Sequence, residues 1–423
     1  MRGTIGGKPS DNLTPIDIVE FASAYAKYIR SVNGPQKVVI GRDGRISGPY
    51  VQGLIADTLI MSGIDVIDIG LSTTPTVEME VTAQDASGGI IITASHNPKQ
   101  WNALKFLNNK GEFISAAVGQ DLLSTIEDKD FTYAEVDQLG TTTKVEDAIA
   151  RHIDKILAIE TVNPDQVREK GFKVVVDCIN STGGIAMRPL LESLNCECIL
   201  INEEITGDFA HNPEPLEQNL TQLSEAVIEH KADLGVAVDP DVDRLAFVDE
   251  NGKYCGEEYT LVMIADWVLS KTPGNTVSNL SSTIALREVT EKHGYKYTGI
   301  IYPTLHAGRD ALVGVALLLT ALSHHDQTLS IYRSNYPDYC IIKDKIQLKA
   351  GLDIDGLLQS VHDHFKKYET DVQDGVKIYF DNGWAHLRKS NTEPIIRLIT
   401  ESKNEAEAKR LAKSVSDIMS EYI

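Results

Sequence analysis

The sequence predicts an α/β protein of several domains, and three observations carry that expectation. Short β-branched runs recur, each ends in small or charged residues, and each is followed by a segment of helical period. That strand–loop–helix plan implies parallel or mixed sheets covered by helices. The length, 423 residues, exceeds one ordinary core, so two to four domains are expected. An apolar share of 42% with 24% charged residues is that of a soluble globular chain rather than a disordered one.

In the first unit, Lys37-Val38-Val39-Ile40 leads into Gly41-Arg42-Asp43-Gly44-Arg45, and residues 51–61 carry helical period. In the second, Lys173-Val174-Val175-Val176 runs into Asp177-Cys178 and the turn-like Ser181-Thr182-Gly183-Gly184, with a helix over 186–194. In the third, Asn275-Thr276-Val277-Ser278 precedes Leu280-Ser281-Ser282 and a helix over 284–293. The polar, Thr-rich stretch 137–147 suits a crossing between domains, and Asp249-Glu250-Asn251-Gly252 is a turn signal. A further boundary falls near Tyr336-Pro337, after a helix carrying Leu312 to Leu322. The expected division is therefore 1–145, 146–253 and 254–336 as α/β domains, then 337–423 as a small α+β domain. In that last part, strands are expected over 376–380, 384–387 and 395–400, with a helix over 354–368. The final helix has Asn404 as its cap with Glu407 three residues on, and an apolar stripe at Leu411, Val415, Ile418 and Tyr422.

Forty basic residues against 61 acidic ones give a formal charge of −21, which argues against nucleic acid or an acidic membrane as partner. A phosphate substrate would then need Arg and Lys gathered locally, a cationic cleft inside an acidic shell. No apolar run reaches the ~18 residues that span a bilayer, and Met1-Arg2-Gly3-Thr4-Ile5 lacks the core of a secretory signal, so a cytoplasmic protein is expected. Five cysteines, an odd number, favour reduced thiols. Cys196-Glu197-Cys198 lies in an alternating strand pattern, with no second cluster to complete a metal site.

Three motifs carry candidate chemistry. Thr93-Ala94-Ser95-His96-Asn97-Pro98 follows the apolar run Gly89-Ile90-Ile91-Ile92, so a buried strand delivers Ser95 and His96 to a sheet edge, where open α/β sheets bind ligands. Ser95 is the nucleophile candidate, with Asn102 and the cation Lys105 close behind; a polar loop with a capping serine is the bland reading. Asp239-Pro240-Asp241-Val242-Asp243-Arg244 follows the buried run Leu234-Gly235-Val236-Ala237-Val238. Three carboxylates at alternate positions repel unless a hard divalent cation draws them together. A helix-loop-helix Ca²⁺ site fails because Arg244 stands where that loop needs glycine. A solvated acidic turn and an aspartate-nucleophile phosphatase, with Asp239 taking the phosphoryl group, stay open. Third, Arg388-Lys389-Ser390-Asn391-Thr392-Glu393-Pro394, with Arg397 beyond, combines guanidinium, hydroxyl and amide donors suited to a phosphate dianion; a charged hairpin is the alternative.

Taken together, these motifs make the chain resemble the α-D-phosphohexomutases, the phosphomannomutase/phosphoglucomutase and phosphoglucosamine mutase group. Thr93 to Pro98 is similar to that family's phosphoserine loop, Asp239-x-Asp241-x-Asp243-Arg244 to its magnesium loop, and Arg388-x-Ser390-Asn391-Thr392-x-Pro394 to its phosphate-binding loop. Gly41-Arg42-Asp43-x-Arg45 matches a further signature. The resemblance implies four domains around a central cleft. It implies a phosphate carried on Ser95, Mg²⁺ held by Asp239, Asp241, Asp243 and the Ser95 phosphate, and interconversion of hexose 1- and 6-phosphates through a bisphosphorylated hexose. Lys105, Arg244 and His96 would stabilise the transferring group or move a proton. Arg388, Ser390, Asn391 and Thr392 would hold the phosphate that is not reacting, and Arg2 resembles the arginine of an N-terminal phosphate-contacting segment. Glucose, mannose and glucosamine phosphates all remain open as substrates, and a non-catalytic sugar-phosphate binder is the rival from another class.

The chain departs from the family pattern in places. It begins almost at Arg2, where the family usually has a preceding Ser-Gly pair, and Asn102-Ala103 replaces a common Asn-Gly. The Gly-Glu-x-Ser/Asn-Gly loop that reads sugar hydroxyls is absent, because His293-Gly294-Tyr295-Lys296-Tyr297-Thr298 runs straight into Gly299-Ile300-Ile301-Tyr302-Pro303. Either the chain is truly shortened there or residues are missing from it as written between Lys296 and Ile300. The clean resumption of the pattern on both sides favours the second.

Overall fold

The computed structural model describes residues 1–277, 279–295, 297–298, 305–306, 308–348, 353–389 and 395–420. The chain forms two compact units, Met1–Thr260 with Tyr302–Tyr332, and Leu261–Ile301 with Arg333–Ile423.

In the first unit, six strands make one mixed sheet: β1 (Arg2–Thr4), β2 (Lys37–Arg42), β3 (Asp65–Leu71), β4 (Gly88–Ile92), β5 (Trp101–Leu107) and β6 (Thr142–Lys144), in the order β1-β5-β4-β2-β3-β6. Strands β4, β2, β3 and β6 run parallel, whereas β5 turns back antiparallel on β4 and β1 on β5. Val38, Ile40, Ile90 and Ile92 face the helices Pro15–Ser31 and Gly48–Met61, while Val39 and Ile91 face Thr74–Ala83 through Val77 and Val81. Both faces are covered, so the central strands read as continuous apolar runs. Each buried Val or Ile contributes roughly 1.5–3 kcal/mol. The polar stretch expected to be only a crossing carries β6, an edge strand exposed at all three residues.

A second sheet holds β7 (Lys173–Asp177), β8 (Glu197–Ile201), β9 (Leu234–Val238) and β10 (Leu245–Asp249) in the order β10-β9-β7-β8. Cys198 lies on β8 as a free thiol beside the buried Cys196, as the alternating pattern implies. The helix Ala311–His325 is buried from Ala311 to Ser323, which explains why it is apolar on every face.

The second unit contains a parallel pair, β11 (Thr276–Val277) and β12 (Tyr297–Thr298), with the helix Ile284–Lys292. It also contains an antiparallel sheet of β13 (Cys340–Gln347), β14 (Glu369–Asp371), β15 (Val376–Phe380), β16 (Gly383–Lys389) and β17 (Ile395–Ser402), in the order β13-β17-β16-β15-β14. Helices Ile354–Phe365 and Glu405–Ser420 pack on it through Leu357, Val361, Ala412, Val415 and Met419, the α+β arrangement expected of this part. Asn404 Oδ1 accepts the Glu407 N–H at 3.0 Å. Apart from the strand Tyr297–Thr298, the join expected between Lys296 and Ile300 lies outside the described residues. Among the described residues no helix is long and apolar enough to cross a membrane.

Candidate active site

The parallel strands of the first unit end where the chemistry-bearing loops begin. At the end of β4, Thr93 Oγ1 donates to Asp43 Oδ2 (2.6 Å) and accepts the Ser95 N–H (2.9 Å). Arg45, wholly buried, pairs its Nε with Asp43 (3.0 Å) and donates to the carbonyls of Ser95, Asn97, Pro98 and Trp101. One guanidinium thus satisfies four carbonyls of a tight loop that would otherwise be buried unpaired. The loop holds Ser95 at φ +48°, a left-handed conformation uncommon for serine. Strain of this kind persists only where surrounding bonds impose it.

A matching loop follows β9. Asp239 Oδ1 accepts the backbone N–H groups of Asp243 (3.1 Å) and Arg244 (3.0 Å), and Val242 sits at φ +59°. Ser181 and Thr182, from the turn after β7, both donate to the Pro240 carbonyl (2.6 and 2.9 Å). Ser181 Oγ also accepts the Gly44 N–H (2.9 Å), and a Cβ on Gly44 would lie 2.9 Å from Ser181, so only glycine allows this approach. The turns after β2 and β7 therefore lock the two loops together.

The result is a short bond between them: Ser95 Oγ donates to Asp239 Oδ2 at 2.6 Å across 144 residues of sequence. Asp241 Oδ2 accepts from Lys105 Nζ (2.8 Å) and Thr74 Oγ1 (2.6 Å), and Asp243 Oδ2 accepts from Arg309 (2.7 Å). Ligand atoms of the three aspartates lie within 4.8 Å of one another, all buried. Burial, then repulsion from Asp241 and Asp243, pushes the Asp239 carboxyl well above the usual range. Burial and the Asp241 charge likewise raise Asp243. Burial also acts to raise Asp241, but the Lys105 ammonium overrides it and holds that carboxyl low.

Three carboxylates face two contacting cations, Lys105 and Arg309, so when all three are ionised one negative charge has no offset. Moreover, Asp241 Oδ1 and Asp243 Oδ1 are buried without a hydrogen-bond partner among the described residues. Buried polar oxygens are costly to leave unmade. An all-oxygen donor set with spare negative charge and orphaned oxygens fits a hard divalent cation.

Ser95 opens on a cleft of about 370 Å³ lined by Arg2, Ser95, His96, Lys105, Arg244 and Arg309. Four cations in one concavity of a chain with charge −21 is the local basic site that a phosphate ligand requires. His96 Nδ1 lies 3.3 Å from Ser95 Oγ. Burial and the Arg244 guanidinium lower its pKa to about 4, so its imidazole is neutral at pH 7. Arg244 pairs with Glu214 at 2.9 Å.

The structure thus brings together Arg2, Ser95, His96, Lys105, Asp239, Asp241, Asp243 and Arg244 in one unit. Arg388 belongs to the other unit, on β16, with Asp374 3.3 Å away. Ser390, Asn391 and Thr392 lie outside the described residues. Sequence reading missed Arg309, Thr74 and Glu214, and gave Arg45 no role. The signal for Arg309 was available: a charged His-x-Gly-Arg-Asp turn directly before an apolar helix, with Asp310 capping it.

Comparison with known proteins agrees with this geometry. Residues 1–133 match "Phosphoglucomutase/phosphomannomutase, alpha/beta/alpha domain I", 150–252 match domain II of the same description, and 343–418 match its C-terminal domain. A phosphoglucomutase/phosphomannomutase of Thermococcus kodakarensis is 30% identical, covering 96% of this chain and 95% of the relative. That alignment runs over 443 positions, more than the 423 residues here, so the relative carries segments with no counterpart in this chain. A probable phosphoglucosamine mutase of Methanopyrus kandleri is 28% identical over 99% of this chain and 97% of its own. A solved phosphoglucomutase/phosphomannomutase family protein from Burkholderia thailandensis, 23% identical, shares the fold with a TM-score of 0.85 over 100% of this chain and 96% of that one. With three family domains matched in order and a relative aligned over nearly its whole length, the chain belongs to the phosphoglucomutase/phosphomannomutase family, the α-D-phosphohexomutases.

Proposed function

We propose that the protein is a Mg²⁺-dependent phosphohexomutase that interconverts hexose 1- and 6-phosphates through a phosphoserine at Ser95. The observation that carries this reading is the 2.6 Å bond from Ser95 Oγ to one of three buried aspartates at the base of a cation-lined cleft. Asp239, Asp241 and Asp243 would hold the metal with an oxygen of the Ser95 phosphate. When bound, Mg²⁺ offsets phosphate charge and makes the Ser95 oxygen a better leaving group. Ser95 passes its phosphoryl group to a free hydroxyl of the hexose monophosphate, the bisphosphorylated hexose reorients, and its other phosphate returns to Ser95. Lys105, Arg244 and Arg309 stabilise the charge of the transferring group from fixed positions. Neutral His96, 3.3 Å from Ser95 Oγ, accepts or returns the hydroxyl proton.

The distal phosphate is assigned to the segment Arg388, Ser390, Asn391 and Thr392, and Arg2 is assigned to phosphate contact in the cleft of the first unit. Support comes from the sheet register: Arg388 lies directly opposite Arg397, which lies opposite Lys345. Like charges in cross-strand register destabilise a sheet, so a row of three cations argues for an anionic ligand. The relatives' names leave two substrate classes for this chain, glucose or mannose phosphates and, as the alternative, glucosamine phosphate.

The phosphatase reading is less well supported. Ser95 lines the cleft and is 8% exposed, whereas Asp239 is fully buried behind it with both oxygens engaged. The deciding experiment is a coupled assay with glucose, mannose and glucosamine 1-phosphates, Mg²⁺ and a bisphosphate activator, with Ser95→Ala as control. Turnover that vanishes in Ser95→Ala, with acid-stable phosphate on Ser95, is expected. Hydroxylamine-labile phosphate on Asp239, or sugar-phosphate binding without turnover, would overturn the proposal.

A further inference from the structure

Behind the cleft, a second cluster has a different donor chemistry. His152 Nε2 and His306 Nε2 both reach the same oxygen, Asp310 Oδ2, at 2.9 and 3.1 Å. The rings meet nearly edge to face (78°), so their Nε2 atoms converge on one point rather than stacking. Asp310 Oδ1 is committed elsewhere, capping the helix Ala311–His325 by accepting from Leu312 and Val313 (2.9 and 3.2 Å), which aims Oδ2 into the cluster. We propose that His152 Nε2, His306 Nε2 and Asp310 Oδ2 form a metal site for a borderline transition ion such as Zn²⁺, separate from the aspartate trio.

The outer partners are those such a site needs. Imidazoles that bind a metal through Nε2 are held in place by a hydrogen bond at Nδ1, commonly to a carboxylate or another oxygen. Here His152 Nδ1 lies 2.9 Å from Thr76 Oγ1, and His306 Nδ1 accepts the Gly308 N–H (3.0 Å) with Glu78 Oε2 2.9 Å away as an ion-pair partner. A Cβ on Gly308 would stand 1.9 Å from Glu78 Oε2, so glycine is what lets the backbone close on the carboxylate. Ligand atoms in a tetrahedral zinc site with bonds of ~2.0–2.1 Å lie ~3.3 Å apart; the two Nε2–Oδ2 separations are within a few tenths of an ångström of that, and all three atoms lie within 4.8 Å of one another.

Charge and selectivity point the same way. Glu78 and Asp310 place two carboxylates among groups that are nearly inaccessible, with His152 1% exposed and Glu78 3%. A divalent ion would take the place of the proton that His306 holds between these two carboxylates. A nitrogen-rich set selects zinc-like ions, whereas the all-oxygen trio suits Mg²⁺. The site also has a mechanical consequence. Arg309, adjacent to Asp310, contacts Asp243 at 2.7 Å, so an ion at Asp310 would fix the backbone that delivers Arg309 to the catalytic cleft.

The test uses the full chain, stripped with chelator and then held in millimolar Mg²⁺ to fill the aspartate trio, and titrated with Co²⁺ alone as a spectroscopic probe. One equivalent should bind with visible d–d bands, be displaced by Zn²⁺, and survive in Asp241→Asn. Glu78→Gln should weaken binding by about 10–100-fold, and His306→Gln should remove the one-equivalent signal. A silent wild type overturns the proposal. So does a signal that persists in both His306→Gln and His152→Gln, or one lost in folded Asp241→Asn, which would place the ion on the trio. If buried His152→Gln fails to fold by circular dichroism, wild-type stoichiometry and His306→Gln decide the outcome.

Discussion

Replacing Asp239 by Asn is expected to stabilise the metal-free protein while removing its response to Mg²⁺. The aspartate ligand atoms lie within 4.8 Å of one another, so each pair of ionised groups repels by about 3.5 kcal/mol at an effective dielectric near 20. Lys105 and Arg309 offset two of the three charges; without metal the third, at Asp239, is either borne against this repulsion or removed by a proton that the unfolded chain does not bind, and Asn spares both costs. Shape and hydrogen bonding survive the change. The Asn carbonyl can accept the Asp243 and Arg244 N–H groups, and its NH₂ can donate to Ser95 Oγ once that hydroxyl turns away. Allowing for the weaker, uncharged bonds, the net gain should be roughly 1–3 kcal/mol. The assay is urea denaturation in chelator and again in Mg²⁺. Wild type should gain about 2.7 kcal/mol at a Mg²⁺ concentration 100 times its Kd, and the variant almost nothing. A variant less stable than wild type in chelator, yet gaining equally with Mg²⁺, would refute the charge argument.

Three further outcomes follow from other contacts. Arg45→Lys leaves one ammonium where a guanidinium served Asp43 and four carbonyls, and should cost about 2–4 kcal/mol in urea denaturation. Because the freed loop displaces Ser95, kcat should fall on the order of 100-fold. Arg309→Gln should lower kcat/KM by roughly 100-fold while the Mg²⁺-dependent stabilisation persists, with Arg309→Lys recovering part of the loss. At His211, burial acts to lower the pKa, but the Asp177 carboxylate 2.7 Å away overrides it and raises the folded-state value. Its stabilisation is therefore complete below the unfolded value near 6.5 and is lost as pH rises through the folded one. His211→Gln should flatten that decline, read from urea midpoints between about pH 6 and 9.

How much of this was legible in the sequence depends on how each contact is made. Strands β2, β4, β7 and β9 are buried on both faces, so their apolar runs announce them; Asp177 ends β7, and the loops after β2, β4 and β9 carry Asp43, Ser95 and Asp239. β6 left no such trace, because a strand exposed at Thr142, Thr143 and Lys144 has no apolar face to show. The trio was readable since its members are neighbours in sequence and their mutual repulsion demands a reason. Its counter-charges were only half readable: Lys105 follows the Ser95 loop closely, but Arg309 reaches Asp243 from 66 residues away in sequence. The same limit hid the histidine cluster. Glu78, His152 and His306 sit at three unremarkable places, two on helices and one before a helix, and only the packing of Thr74–Ala83 and Ala148–Leu157 beside His306 and Asp310 makes them one object. Local chemistry is written in periodicity and motif, whereas charge balance at a buried site is a property of the assembled unit. The residues that complete that balance, Arg309 for the trio and Glu78 for His306, are accordingly the ones to be found by structure and tested by substitution.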